Sequence, residues 1–372
     1  MKRRTRIGAM ILAIVMVATL AVSAIAGHYY PIYINGVKSD VKGDTVNGVT
    51  TVGLRALAEK LGFNVDFDYK TNTIQIEEKN QLKLTTLAEN NNGENTDLTK
   101  EFGFSVLIET KNDKILFDTA KAGMFMENAA KMNLDVADVN KIVLSHTHYD
   151  HCGGLLPYFD KYGAQDKTLF IKNTFFDYAD ERYYHDTVGK KFDFSDGTIG
   201  YFPVGIDFTE EDLLKRNVAI EYLDTNAIKI ADGVTMYGRF DQNPEFALAP
   251  SMVEKLEDGT YRYDNFDEEV ALAIETTKGL VIVSGCSHTG ILNIVNNIEA
   301  RSGQKVYAVI GGFHLLDATE ADIQKTIDRF KTLGIEHIGL SHCTGPLATQ
   351  MFREQMPEAT FINATGSVYE VK

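Results

Sequence analysis

Residues 145–154 read Ser-His-Thr-His-Tyr-Asp-His-Cys-Gly-Gly, placing three histidines and an aspartate in the six positions from His146 to His151. A packed core gains nothing from so many polar side chains, because each is costly to bury without a partner. A divalent cation, in contrast, needs such a set of nitrogen and oxygen donors. The preceding run Lys141-Ile142-Val143-Leu144 reads as a buried strand, and Gly153-Gly154 predicts a sharp turn into the next element. The donors therefore sit on a strand-end loop. With alternate residues pointing the same way, His146 and His148 reach one ion while Asp150 and His151 reach a second beside it.

Three later apolar runs also deliver a histidine at their ends. Leu280-Val281-Ile282-Val283 leads into Gly285-Cys286-Ser287-His288, Val306 to Ile310 leads into Gly311-Gly312-Phe313-His314, and Ile335 to Leu340 leads into Ser341-His342-Cys343. Strands that end in this way build one rim, where open sheets of α/β folds gather ligands. The other three of the nine histidines, His28, His185 and His337, lack such a setting and read as ordinary surface or core residues.

The run His146-Thr147-His148-Tyr149-Asp150-His151 resembles the HxHxDH signature of the metallo-β-lactamase superfamily. A narrower resemblance covers most of residues 82–372, to a subgroup of metal-dependent hydrolases that includes an archaeal dihydropterin-ribofuranosylaminobenzene-phosphate synthase. It is carried by Glu101-Phe102-Gly103-Phe104-Ser105, Gly285 to Ile291, Gly311 to Leu315 and Ser341 to Gly345. Phe102 stands where the subgroup usually has histidine, and Ala120 where it usually has glycine. The resemblance implies an α/β fold, an αβ/βα sandwich of two mixed sheets with helices outside.

It also implies roles. His146, His148, Asp150 and His151 are metal ligands, His342 matches the superfamily's last ligand, and His288 is the remaining ligand of the first ion. Cys286 occupies the place of the usual bridging aspartate, where its thiolate could hold a soft ion such as zinc. His314 is a ligand, a substrate contact, or a residue packed under the rim. Asp118, ending the strand-like Lys114 to Phe117, braces the histidine loop from behind. The cofactor expected is one or two divalent ions, zinc first, with iron or manganese as other choices.

Such ions lower the pKa of water from ~15.7 to about 7, so the expectation is a hydrolase using metal-bound hydroxide, with Asp150 orienting the attacking group and taking its proton. The substrate class would be a small ester, phosphoester or cyclic amide. Two alternatives stand beside it: the synthase activity of the archaeal relative, and a wall-associated binding protein with a structural metal. No Gly-x-Ser-x-Gly occurs, and each cysteine, Cys152, Cys286 and Cys343, lies beside a metal motif, so reduced thiols are expected.

Lys2-Arg3-Arg4-Thr5-Arg6 followed by an apolar stretch ending Ala24-Ile25-Ala26 has the form of an export signal, residues 1–26. Cleavage after the small-residue end is expected over retention as an anchor, and the mature protein would be extracellular or envelope-associated. The net charge of −15, with no basic stripe, argues against a nucleic-acid partner.

Residues 28–79 form a separate pattern. Tyr30 to Val37 reads as a hairpin turning at Asn35-Gly36, Gly53 to Gly62 as a short amphipathic helix, and Val65 to Tyr69 with Ile74 and Ile76 as a second hairpin. This small α+β domain resembles the stalk-like repeat named after the amino-terminal domain of copper amine oxidases, and lacks any cluster of copper ligands. Either attachment, to cell wall or to a second copy, or a spacer role follows from it. The 372 residues thus divide into a signal, this domain and residues 82–372.

Overall fold

The computed structural model describes residues 30–34, 37–46, 49–61, 63–68, 72–78, 82–94, 97–184, 192–193, 199–246 and 250–371. The expected export signal, His28 and His185 lie outside these residues, as does the Asn35-Gly36 turn. The chain divides into two compact units, residues 1–79 and 80–372. Among the described residues, no helix is long and apolar enough to cross a membrane.

In the small unit, strands Tyr30–Ile34, Val37–Val46 and Val49–Val52 form an antiparallel sheet. Helix Leu54–Lys60 follows, and then the hairpin of Phe63–Asp68 with Thr73–Glu78. The expected order of hairpin, helix and hairpin gains a third strand, because the β-branched run Val49-Thr50-Thr51-Val52 pairs back onto Gly43 to Val46. In the second hairpin Val65 is buried, whereas Ile74 and Ile76 are exposed rather than half-buried as their alternation suggested.

The large unit is built on two seven-stranded mixed sheets. The first runs, in spatial order, Ala219–Leu223, Thr168–Lys172, Lys141–Val143, Lys114–Phe117, Ser105–Glu109, Leu82–Ala88 and Val368–Val371. The second runs Ala227–Ala231, Val234–Gly238, Val270–Glu275, Leu280–Ser284, Val306–Gly312, His337–Ser341 and Thr360–Ile362. Alternation explains why these strands read as unbroken apolar runs. Val106, Ile108, Ile115, Phe117 and Val143 pack against Leu272, Val281, Val283 and Ile310 between the sheets. Their neighbours Leu107, Leu116 and Ile142 turn outward beneath helices Met124–Lys131 and Leu155–Tyr162. On the second sheet Ile282 and Val309 likewise meet helices Ile291–Ser302, Glu320–Leu333 and Pro346–Gln355. Both faces of each sheet are covered, giving the αβ/βα sandwich.

Three adjacent strands of the second sheet, Leu280–Ser284, Val306–Gly312 and His337–Ser341, are parallel, as are Lys114–Phe117 and Lys141–Val143 in the first. Their carboxyl ends deliver Asp118, His146, Cys286, His288, His314 and His342.

Candidate metal centre

The histidine loop leaves strand Lys141–Val143 and closes as a single helical turn, Tyr149–Cys152. Gly153 and Gly154 follow in ordinary right-handed backbone, with φ −64° and −81°, so they are not required for a turn. They are required for room: a Cβ would lie 1.9 Å from the Lys121 carbonyl oxygen at Gly153, and 2.2 Å from that of Thr119 at Gly154. Gly103 has a similar duty, since a Cβ there would meet the Asp150 carbonyl oxygen at 1.9 Å. Six non-glycine residues around the loop, Asp118, Ala120, Phe266, Ser287, His314 and His342, take left-handed backbone, a conformation held only where surroundings dictate it. Ala120, where glycine was the expected residue, is one of them.

Two groups of donors emerge. His146, His148 and His288 each place a ligand atom within 4.8 Å of the others, and so do Asp150, His151 and His342. The Nε2 atoms of His146, His148 and His288 are buried without a hydrogen-bond partner. Three orphaned imidazole nitrogens converging on one point fit a cation, because leaving them unpaired would otherwise be costly. Burial holds all three rings well below the usual histidine range, helped by neighbouring histidines at His146 and His288, and by Arg182 against the pull of Asp150 at His148. They are thus neutral, the form that ligates metal.

Hydrogen bonds behind the rings fix their orientation. Asp118 accepts from the Ser145 backbone N–H at 2.7 Å and from Ser145 Oγ at 2.7 Å. Having donated to Asp118, that hydroxyl accepts from His146 Nδ1 at 2.8 Å, so the His146 Nε2 is bare. Asp118 also meets His151 Nδ1 at 2.6 Å, which turns the His151 Nε2 toward Cys286 Sγ at 3.1 Å and Asp150 at 4.0 Å. Behind His342, Asn90 Oδ1 lies 3.0 Å from Nδ1, and Glu89 accepts the backbone N–H at 2.5 Å.

His342 Nε2 lies 3.0 Å from Asp150 Oδ2. Burial draws the His342 ring down, but the hydrogen bond with Asp150 and the nearby Cys343 and Glu89 hold it up at about 9. Burial would raise Asp150, yet His151, His342 and His148 keep it well below the ordinary carboxylate range. The pair is charged and competent to exchange its proton for a cation.

The remaining candidates divide. Cys286 is buried and groups with His146 and His151, or with His342 and Cys343. Burial and Cys343 push its thiol up, whereas Cys286 and His342 draw Cys343 down against its own burial. All three cysteines are free. His314 joins none of the donor groups found among the described residues. Its ring tilts against His288 at 4.2 Å, and burial lowers it to about 4. His337 pairs with the Tyr307 hydroxyl at 2.9 Å.

Sequence reasoning missed the carboxylates that anchor the loops. Glu269 accepts the backbone N–H of His288 at 2.6 Å and of Thr289 at 2.7 Å. Glu268 accepts from Thr147 Oγ1 at 3.1 Å within the histidine loop, and from Arg182, which also binds Asp264. Phe266 lies flat on His288, with ring centres 4.0 Å apart. One signal was available: two adjacent acids, Glu268-Glu269, stand directly before the buried run Val270 to Ile274.

Both donor groups open into a cavity of ≈470 Å³ whose lining includes Asn90, Phe102, Asp150, Cys286, His288, His314 and His342. A sandwich of two mixed sheets carrying clustered, neutral, partnerless imidazoles at one edge defines an α/β protein with a donor set able to hold a metal. The metallo-beta-lactamase superfamily model matches residues 98–167. The chain is 34% identical over 286 residues to the 7,8-dihydropterin-6-methyl-4-(beta-D-ribofuranosyl)-aminobenzene-5'-phosphate synthase of Methanocaldococcus jannaschii, covering 74% of this chain and 92% of that one. It is 28% identical over 256 residues to an uncharacterized protein of the same archaeon, MJ0448, covering 68% and 88%. Among solved structures, Tm1679, a metal-dependent hydrolase of the beta-lactamase superfamily, superposes with a TM-score of 0.64 at 27% identity, over 78% of this chain and 99% of that one. The protein belongs to the metallo-beta-lactamase superfamily.

Proposed function

We propose that the protein is a metal-dependent hydrolase of a small ester, phosphoester or cyclic amide. The observation that carries this reading is the convergence of three partnerless imidazole nitrogens with the Asp150–His151–His342 group on one cavity. His146, His148 and His288 would hold one divalent ion, and Asp150, His151 and His342 a second, with Cys286 beside both. Zinc suits this mixture of imidazole, carboxylate and thiol, and iron or manganese are the other candidates. Divalent ions there would acidify water and polarise the scissile carbonyl or phosphoryl oxygen. Asp150 would orient the attacking water and take its proton, while the Asp118–Ser145 pair keeps the histidine rings from turning.

A second reading is the synthase activity named for the archaeal relative, favoured by the 34% identity over 286 residues. The amino-terminal region would deliver the hydrolase outside the cell, with residues 28–79 as its attachment or spacer module. A structural metal site in a binding protein is the third reading; such sites are closed by four protein ligands, whereas here the donors face an open cavity.

Elemental analysis of the full chain beside Asp150→Ala and His288→Ala decides among them. About two ions per chain, reduced in both variants together with turnover of generic esters, is the expected result. Metal content and hydrolysis untouched by both changes would sink the catalytic reading. Formation of the pterin product without hydrolysis would favour the synthase.

A further inference from the structure

The walls above the two donor groups differ in character from the floor. Phe102, Tyr149, Phe202, Val204, Met252 and Leu316 line them. Phe102 lies edge-on to His342, with centres 5.1 Å apart, and stacks toward Tyr149 at 6.3 Å, forming an aromatic pair at the mouth. Phe102 is 51% exposed, and with Tyr149, Phe202 and Leu316 it makes a contiguous apolar wall.

The charge distribution points the same way. Among the described lining residues there is no lysine or arginine, and the one acid apart from Asp150 is Asp317, which accepts from the Tyr184 hydroxyl at 3.1 Å. Two cations flank the described lining. Arg182 is buried behind Phe266 between Asp264 and Glu268, and Lys121 lies over the Tyr149 ring at 5.5 Å without lining the cavity. A phosphate or carboxylate on the non-reacting part of a substrate would lose its water against these apolar walls and face Asp317, and His342, among the described lining residues, is already paired with Asp150. An apolar group would instead gain by burial against the rings.

We infer that the substrate is a carboxylic ester or lactone whose apolar acyl or aryl group packs against Phe102 and Tyr149 at the mouth and Val204 and Met252 within, and that Phe102 sets this preference. The inference rests on the hydrolase reading above. The step is simple hydrolysis: water adds at the acyl carbon, the acyl–oxygen bond breaks, the alcohol leaves with one proton, and the acid is the other product. No further reactant is needed.

The test compares p-nitrophenyl hexanoate, acetate and phosphate on the zinc-loaded full chain and on Phe102→Ser. Binding of N-phenyl-1-naphthylamine, a neutral fluorophore, is followed in parallel with hexyl phenyl ketone and phenyl phosphate as competitors. The hexanoate should exceed the acetate in kcat/KM by at least about tenfold, and Phe102→Ser should collapse that ratio. The ketone should displace the fluorophore where phenyl phosphate does not, and the variant should bind the fluorophore several-fold more weakly. Preference for the phosphate, or a ratio and fluorophore affinity unmoved by Phe102→Ser, overturns the substrate class and leaves the hydrolase reading standing. No turnover of any of the three removes both.

Discussion

Asp118 and His151 meet at 2.6 Å with both side chains wholly excluded from solvent, and the same carboxylate reaches His146 through Ser145. One residue thus sets the ring orientation of a donor in each group. Gly285 makes this possible, since a Cβ there would lie 2.1 Å from Ser145 Oγ and 3.0 Å from Asp118 Oδ2.

Asp118→Asn should therefore weaken both groups at once. Its amide would set a donor against Ser145 or His151, which already donate, and metal affinity should fall about 10–100-fold. Chelator competition on the folded variant measures this. An unchanged affinity would show that Asp118 merely fills space.

Gly103→Ala should act on the second group alone. Its φ of +124° suits only glycine, and the added Cβ would push the Asp150 carbonyl away. The Gly103 N–H also donates to Asn90 Oδ1 at 3.0 Å, so the atom behind His342 would move too. Metal content should fall by about one ion per chain, with ~1–3 kcal/mol lost from overpacking. Retention of the full metal complement and of the wild-type melting temperature would rule this out.

These effects show which parts of the site the sequence could reveal. His146, His148, Asp150 and His151 are dense in the chain because one loop supplies them, and His288 and His342 were visible because each ends an apolar run. Asp118 is 33 residues from His151 and was found only through resemblance. Glu268 acts on Thr147 across 121 residues, and Arg182 on Glu268 across 86, with no local pattern to announce either. The sandwich itself was legible as a family likeness, since strands buried on both faces lose the alternation that would show which side faces the partner sheet. In the small unit, the strand Val49–Val52 was missed because four residues carry too short a pattern.

Arg182→Met should be among the most destabilising single changes in the large unit. The guanidinium is buried between Asp264 and Glu268, and removing it leaves two buried carboxylates without their cation. Breaking such a pair costs about 3–5 kcal/mol. Urea denaturation of the full chain checks the figure, and a loss below about 1 kcal/mol would mean that the carboxylates find protons or water instead.

Export with cleavage after Ala26 predicts that protein recovered from the medium or envelope begins at Gly27, as read by intact mass. Material that retains Met1 to Ala26 in the membrane fraction would establish an anchor instead.

Lys172 predicts a pH dependence independent of the metal centre. Its ammonium is buried, donating to the Leu223 carbonyl at 2.7 Å and to Asn173 Oδ1 at 2.6 Å. Burial, and then Arg239, draw it down to about 8. In the unfolded chain a lysine titrates near 10.4. Between about 8 and about 10.4 the unfolded state binds the extra proton, so this group's contribution to stability rises with pH across that window and is flat below it. Lys172→Met removes the titration while every other group keeps its own. The difference in urea midpoint between wild type and variant should therefore stay constant from pH 6 to about 7.5 and move in favour of the wild type from about 8 to 10. Parallel profiles across the whole range would mean that Lys172 carries its charge in the fold as readily as in water.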